Sequence, residues 1–375
     1  MPDSIIEDAN EIAARAGAEL EALVGVSSPS GDLAGAEEAL ALCRELLPDG
    51  AASERVPCST PGSAPDLVAR MPGQGTRRLM LLGHVDTVVA HKDHAPVRRD
   101  GERLYGSGTA DMKGGVVLAL AVARALAARP EMFAELAVLL VTDEESRTEP
   151  FTHVGRFAGY DACLCFEAGE RGPAGEEGIV VRRKAAATLR VRGHGLAAHS
   201  GSAPDQGRNA LLALTAAAEI VAAHHDPRGP EHMSAVPTVL HAGAAFNVVP
   251  AAGELLCDMR ADRLEAVEAA MAEIPEEIGG ATLEAVLLRR WPGMDTTAVA
   301  APLLDRATAR LGRPIIGVSR GGASDASHFA AAIPLTFDGL GPRGGGAHTP
   351  GEFVLAPSLR QRSEVALAVA AEVLS

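Results

Sequence analysis

Aromatic residues are scarce in this chain: Trp, Tyr and Phe together make up 3% of its 375 residues. A core must therefore come from Ala, Val and Leu, within a hydrophobic share of 47% that is ordinary for a globular protein. Long apolar runs are also missing. None reaches the ~18–20 residues that a helix needs to cross a bilayer, so no membrane partner is expected. Positive charge is in deficit, with 34 Lys and Arg against 49 Asp and Glu and a formal net charge of −15. That balance excludes nucleic acid as a partner, because its phosphates demand a basic face. The acidic surplus itself serves solubility and points to no partner. Cysteine is sparse and odd in number, at five. Cys163 and Cys165 alternate within an apolar stretch and read as buried thiols of a reducing compartment. The opening segment, Met1 to Asn10, is acidic and has neither a basic n-region nor an apolar h-region, so a cytoplasmic location is expected.

The length exceeds one ordinary core and suggests two domains. Apolar residues at Ile5, Ile6, Ile12, Ala13, Ala16, Leu20 and Leu23 predict an amphipathic helix at the start, and a second helix follows over 34–47. Strand-like runs lie at 66–71, 78–83, 136–142 and 162–166, with a long apolar helix over 114–128 between the second and third. This alternation predicts an α/β fold with a central, mostly parallel sheet flanked by helices. The pattern changes after Arg182: a strand over 185–192, a helix over 210–223, strands over 234–242 and 253–260, a helix over 265–274 stopped by Pro275, and a strand over 281–288. That order is the one of a ferredoxin-like α+β domain. Alternation resumes near Ala300 and ends in a helix over 358–374. The expected organisation is a catalytic domain in two parts, 1–180 and 294–375, interrupted by an inserted domain over 181–293.

Five potential metal ligands are spread along this pattern. His84 stands in Leu-Leu-Gly-His-Val-Asp-Thr, Asp111 in Gly-Ser-Gly-Thr-Ala-Asp-Met-Lys-Gly-Gly, and Glu145 in Val-Thr-Asp-Glu-Glu-Ser. Glu167 stands in Cys-Leu-Cys-Phe-Glu-Ala-Gly and His348 in Gly-Gly-Gly-Ala-His-Thr-Pro-Gly. His84, Glu145 and Glu167 follow or close a predicted buried strand, and ligands of open α/β sheets gather at that edge. Two His and three carboxylates form a hard-to-borderline donor set that suits a pair of zinc ions, with cobalt or manganese as substitutes. Asp111, between glycines that let the backbone bend tightly, has two oxygens and can bridge two ions. Gly106-x-Gly108-x-x-Asp111 is no phosphate loop: it lacks a third Gly and puts a negative charge where pyrophosphate would sit.

Two further carboxylates accompany the ligands. Residues i and i+2 share a face of a strand, so Asp86 points with His84 and is expected to accept its free ring N–H. Glu144 and Glu145 are adjacent and project differently. Glu145 is assigned as ligand and Glu144 as the general base that takes a proton from water. A silent metal- or metabolite-binding scaffold has no physical need for an uncoordinated base, and Glu144 argues against that reading.

His84-Val-Asp86-Thr, Gly108-Thr-Ala-Asp111-Met-Lys-Gly-Gly and Asp143-Glu144-Glu145 resemble the motifs of the M20 metallopeptidases, which include glutamate carboxypeptidases, succinyl-diaminopimelate desuccinylases, acetylornithine deacetylases and aminoacylases. The resemblance covers nearly the whole chain. It implies a zinc pair bridged by Asp111, one zinc adding Glu145 and His348 and the other His84 and Glu167. It also implies that the inserted domain is a lid through which a homodimer forms. Gly193-His-Gly-Leu-Ala-Ala-His199-Ser-Gly matches a lid segment whose His helps stabilise an oxyanion at the neighbouring subunit's site, so His199 is the candidate and His194 the decoy. Asn247 and Arg260 match lid residues that hold a substrate carboxylate, a task suited to the Arg fork. Arg320, in Arg-Gly-Gly-Ala-Ser-Asp325, resembles a loop that meets a second substrate group. The remaining histidines match no ligand position.

These readings together predict a two-zinc amide hydrolase whose small-molecule substrate bears a free carboxylate. A carboxypeptidase releasing a C-terminal residue such as Glu is favoured by Glu167, where aminopeptidase-type relatives tend to have Asp, and by the Arg320 loop. An N-acyl-amino-acid deacylase uses the same machinery and is the alternative.

Overall fold

The computed structural model describes residues 2–375, which divide into two compact units. One holds the chain up to Arg182 together with Asp295–Arg320 and Ser324–Ser375, and the other holds Arg183–Met294 and Gly321–Ala323.

The larger unit is built on a six-stranded sheet. Its spatial order is Ala52–Val56, Asp66–Pro72, Glu135–Val141, Arg78–His84, Ala162–Cys165 and Leu335–Phe337. The last four run parallel, and the first two are antiparallel additions at one edge. The parallel strands are buried almost without interruption, as expected of strands covered on both faces. This is why Leu79–Leu82 and Leu136–Val141 read as continuous apolar runs without alternation. Helix Gly114–Ala127 is apolar nearly all round and buried nearly all round. Helix Pro2–Gly25 offers Ile5, Ala9, Ile12, Ala16, Leu20 and Leu23 to the same core, at helical spacing, and packs on Gly114–Ala127 and on Ala356–Leu374. Asp32 caps helix Leu33–Glu45, its carboxylate accepting the Gly35 N–H at 2.6 Å.

The smaller unit is an antiparallel sheet with the order Ser234–Ala242, Ala252–Ala261, Ala185–His194, Ala281–Trp291 and the short Glu277–Ile278. Helices Ala210–Ala223 and Leu264–Ala272 pack on one face, over Ala187, Leu189, Val191, Leu255, Cys257 and Met259. Numbered along the chain, the four long strands lie in the order 2-3-1-4, the ferredoxin-like arrangement. Strand Ala281–Trp291 runs three residues beyond its expected end. A bulge at Thr188/Leu189 resets the register and lets pairing continue to Trp291 opposite Ala186. Strand Glu177–Arg183 was not anticipated: its apolar stretch is only Ile179–Val181, flanked by charge. Among the described residues no helix is long and apolar enough to cross a membrane.

The last helix is tied to the larger unit by a buried guanidinium. Arg362 is fully buried; its Nη1 donates to Glu177 Oε2 at 2.9 Å, its Nη2 to the carbonyls of Gly178 and Gly339 at 3.1 and 2.6 Å, and its Nε to that of Gly341 at 3.3 Å. Arg343 donates to the same Glu177 oxygen at 2.6 Å. Burial brings the Arg362 pKa down to about 10, against the opposing pull of Glu177, so the group stays charged at neutral pH. Replacing one partner of a buried ion pair leaves uncompensated polar groups behind. Arg362→Met is expected to cost about 3–5 kcal/mol, read as a lower midpoint in thermal denaturation followed by circular dichroism. An unchanged midpoint would mean that the helix is held by its apolar face alone.

Candidate active site

Three neighbouring parallel strands point their carboxyl ends to one edge, and each delivers a candidate ligand there. His84 is the last residue of Arg78–His84; Glu145 follows Glu135–Val141 by a turn; Glu167 lies two residues beyond Ala162–Cys165. Asp111 arrives from the tight turn Thr109–Lys113 that opens helix Gly114–Ala127. Gly108 leads into that turn with φ +77°, and a Cβ there would lie 2.8 Å from the Thr87 methyl, so only glycine fits. His348 sits in the turn between Gly344–Gly345 and Phe353–Leu355, with φ +64°.

The five side chains fall into two groups of three that share Asp111. His84 Nε2 is 3.2 Å from Asp111 Oδ1 and 3.7 Å from Glu167 Oε1. His348 Nε2 is 3.1 Å from Asp111 Oδ2 and 3.2 Å from Glu145 Oε1. Each oxygen of Asp111 thus belongs to a different group. A tetrahedral ion about 2.0–2.2 Å from each donor would hold those donors about 3.3–3.6 Å apart. The observed separations and the mixture of imidazole and carboxylate donors therefore fit a divalent cation at each group.

The electrostatics point the same way. Burial alone would lower the His84 pKa, yet hydrogen bonds with Asp111 and Asp86 raise it well above its ordinary value. The bond with Asp111 raises His348 to about 9. Burial pushes Glu145 up to about 7, with His84 opposing. Three converging carboxylates demand positive charge; protons on the imidazoles supply it in the protein alone, and a cation supplies it with the imidazoles neutral.

Asp86 does more than orient His84. The His84 Nδ1 lies 3.0 Å from the Asp86 backbone oxygen and 3.3 Å from its carboxylate, so the backbone shares the role expected of the side chain. With Nδ1 donating there, Nε2 keeps its lone pair for an ion. The Asp86 carboxylate also accepts the N–H groups of Glu144 and Glu145, both at 3.1 Å, and the Ser30 hydroxyl at 2.6 Å. It pins the turn that carries Glu144 and Glu145. Glu144 is buried; burial raises its carboxyl well above the usual range, His84 opposes, and Asp325, Glu167 and Glu145 add to the rise.

The remaining candidates lie elsewhere in the fold. In the smaller unit His199 is exposed, and its Nδ1 accepts the N–H groups of Gly201 and Ser202 at 3.1 Å each, which leaves the proton on Nε2. Asn247 is half-buried and accepts the Ser200 N–H with its backbone carbonyl at 3.0 Å. The Arg260 Nε donates to Asp258 Oδ2 at 3.1 Å and its Nη1 to the Gly321 carbonyl at 3.2 Å. In the larger unit the Arg320 Nε pairs with Glu170 at 2.7 Å, three residues after Glu167. His153, which matched no ligand position, is fully buried against Asp66 at 2.7 Å.

Glu352 escaped the reading of the sequence, although it stands only four residues after His348. Its carboxylate accepts three consecutive-turn N–H groups: Gly108 at 2.8 Å, Ala110 at 2.7 Å and Asp111 at 2.9 Å. A buried anion cradled by amides fixes the loop that aims Asp111.

Fold and site together define a metal-dependent hydrolase built on a sheet edge. Residues 80–372 match the profile of Peptidase family M20/M25/M40, and the chain belongs to that family. It is 28% identical over 347 residues to carboxypeptidase G2 of Pseudomonas sp. (strain RS-16), covering 88% of this chain and 82% of that one. It is 37% identical over 208 residues to succinyl-diaminopimelate desuccinylase of Xylella fastidiosa (strain 9a5c), covering 50% of this chain and about half, 54%, of that enzyme. A Bacillus subtilis protein described as a dinuclear metal-binding peptidase from the M20 family shares the fold with a TM-score of 0.71 at 16% identity, covering 97% of this chain and 99% of that one.

If Glu352 aims Asp111, Glu352→Gln, which turns an amide N–H toward the backbone donors, should weaken divalent-ion binding about 10–100-fold. Competition with a chromophoric chelator measures this, and unchanged affinity would show that the loop holds Asp111 without the cradle.

Proposed function

We propose that this protein is a two-zinc hydrolase of amide bonds that acts as a carboxypeptidase, releasing a C-terminal amino acid such as glutamate. The observation that carries the reading is Asp111, which places one carboxylate oxygen in each of two three-donor groups. Beside them stands the buried Glu144, which neither group uses. Zinc is favoured by the His and carboxylate donors, and cobalt or manganese would be accepted by the same set. When bound, such a pair supplies Lewis acidity at the scissile carbonyl and lowers the pKa of a coordinated water toward neutrality.

The protein's own groups do the rest. His84 and Glu167 on one side, Glu145 and His348 on the other, and Asp111 shared between them would hold the ions. Glu144 accepts the proton of the attacking water and returns it to the leaving amine, a role supported by its burial at the site without membership of either donor group. His199, with its Nε2–H free of the backbone contacts that fix Nδ1, donates to the developing oxyanion. Asn247 and Arg260 hold the substrate carboxylate, and Arg320 meets a second substrate group; a substrate there competes with Asp258 for the Arg260 fork and with Glu170 for Arg320.

Release of a C-terminal residue is supported by the similarity to carboxypeptidase G2 across most of both chains. A deacylase removing a short acyl group is the second reading, favoured by the higher identity to the desuccinylase over half the chain. A homodimer through the inserted unit belongs to the proposal as well. Strand Ser234–Ala242 is an outer edge of its sheet and leaves Val236 and Leu240 exposed, an edge that pairing with a second copy would cover. A cytoplasmic location is part of the same reading.

A paired substrate panel separates the two activities. Zinc-loaded protein is expected to release glutamate from folate- and peptide-linked C-terminal glutamates, and a chelator should abolish the release. Faster turnover of N-acetyl or N-succinyl amino acids would move the assignment to deacylase with the same site. Glu144→Gln should keep its bound metal and lose about 10²–10⁴-fold in kcat; wild-type turnover in that variant would end the base assignment.

A further inference from the structure

The turn that carries Glu144 and Glu145 is held from behind by charge that takes no part in either donor group. Arg147, three residues after Glu144, has 1% of its side chain exposed. Its backbone N–H donates to the Asp143 carbonyl at 2.9 Å and closes the turn. Its Nη1 donates to Asp143 Oδ1 at 2.8 Å, and its Nη2 to Asp325 Oδ1 on the far side. The guanidinium carbon lies 4.6 Å over the Phe151 ring, so the plane of the fork is fixed as well as its ends.

The second oxygen of Asp143 accepts the N–H and hydroxyl of Thr60 at 3.0 and 2.7 Å. One residue earlier, the N–H and hydroxyl of Thr142 donate to Asp66 Oδ1 at 2.9 and 3.1 Å. Thr60, Asp66, Asp143, Arg147 and Asp325 all belong to the larger unit. Thr60, Asp66 and Asp325 thus converge on residues 142–147 from outside the turn.

We infer that Arg147, braced between Asp143 and Asp325, is a positioning residue that sets the direction of the Glu144 carboxylate, which rests on Glu144 being the base. Asp86 fixes the front of the turn through its N–H groups, and Arg147 fixes the back. A guanidinium can do this because its two arms reach two carboxylates in one plane. An ammonium is a point charge and reaches one.

The test is a set of variants carrying their full metal complement: Arg147→Lys, the double variant Arg147→Met/Asp325→Asn, and Glu144→Gln. Steady-state kinetics on the substrate turned over fastest in the panel above, metal content, unfolding midpoint and a crystal structure are read for each. For Arg147→Lys, kcat should fall about 10–100-fold with KM within about threefold and metal content unchanged. The double variant, which removes the cation together with one of its anions, should recover most of the midpoint and stay equally slow. In both structures the Glu144 carboxylate should move by more than about 0.5 Å. Wild-type kcat in Arg147→Lys, a loss that only follows lost metal or folded fraction, or an unmoved Glu144 carboxylate would overturn the inference. Wild-type turnover in Glu144→Gln would instead overturn the base reading, and the crystallographic displacement would still decide what Arg147 holds in place.

Discussion

Five carboxylates, those of Asp86, Asp111, Glu144, Glu145 and Glu167, are gathered at the carboxyl edge of one sheet, and their mutual repulsion is the constraint around which the rest is organised. Like charges this close cannot all remain ionised in a buried setting unless something positive or hydrogen-bonding stands between them. The fold answers in different ways at different members of the group. Asp86 is satisfied by two backbone N–H groups and a hydroxyl. Asp111 lies between two imidazoles. Glu144 and Glu145 are left elevated, and so is Asp325 behind them, where burial pushes its carboxyl up to about 6 against the pull of Arg147.

Division of labour between side chains follows from this arrangement. The groups that face inward are those whose charge a cation can neutralise, and the groups that brace them draw on the protein's own donors. Glu352 and Asp86 are both anions used as clamps on backbone amides, one under the Asp111 loop and one under the Glu144–Glu145 turn. Arg362 and Arg147 are their cationic counterparts, each buried and each tying distant stretches of chain through carboxylates or carbonyls. Arginine suits this task because its fork stays charged even when burial lowers its pKa. Rigidity at the sheet edge is thus obtained from polar contacts, while the apolar core beneath is made of small aliphatic side chains with few aromatic anchors.

The smaller unit shows a different economy. Its sheet covers one face with two helices and leaves the outer strand Ser234–Ala242 with exposed apolar side chains. His199 is not buried there, yet its tautomer is set by two backbone N–H groups. His153 of the larger unit contrasts with it, fully buried against the Asp66 carboxylate at 2.7 Å.

Much of this was legible in the sequence. Periodicity alone placed both flanking helices, the parallel strands and the order of elements in the inserted unit, because side-chain burial repeats every two or about 3.6 residues whatever lies across the contact. That residues at the ends of apolar runs would meet was legible, because a parallel sheet gathers its carboxyl ends. What one stretch of chain does to another was not legible. The three further residues of pairing to Trp291 depend on a register shift against Thr188/Leu189 of the partner strand, and the short strand Glu177–Arg183 depends on neighbours that its own few apolar residues do not announce. Asp86, read from its spacing to His84, also clamps two amides 58 and 59 residues away. Glu352 and Arg147 stand outside the regular elements, where no periodicity marks what they touch. Sequence by itself determined which residue types were available for metal chemistry and on which elements they stand. Only the tertiary structure decided that Asp111 turns one oxygen to each group and that Arg147 and Glu352 hold the turns behind them, because a hydrogen bond is a matter of direction and distance between atoms that the chain order leaves free.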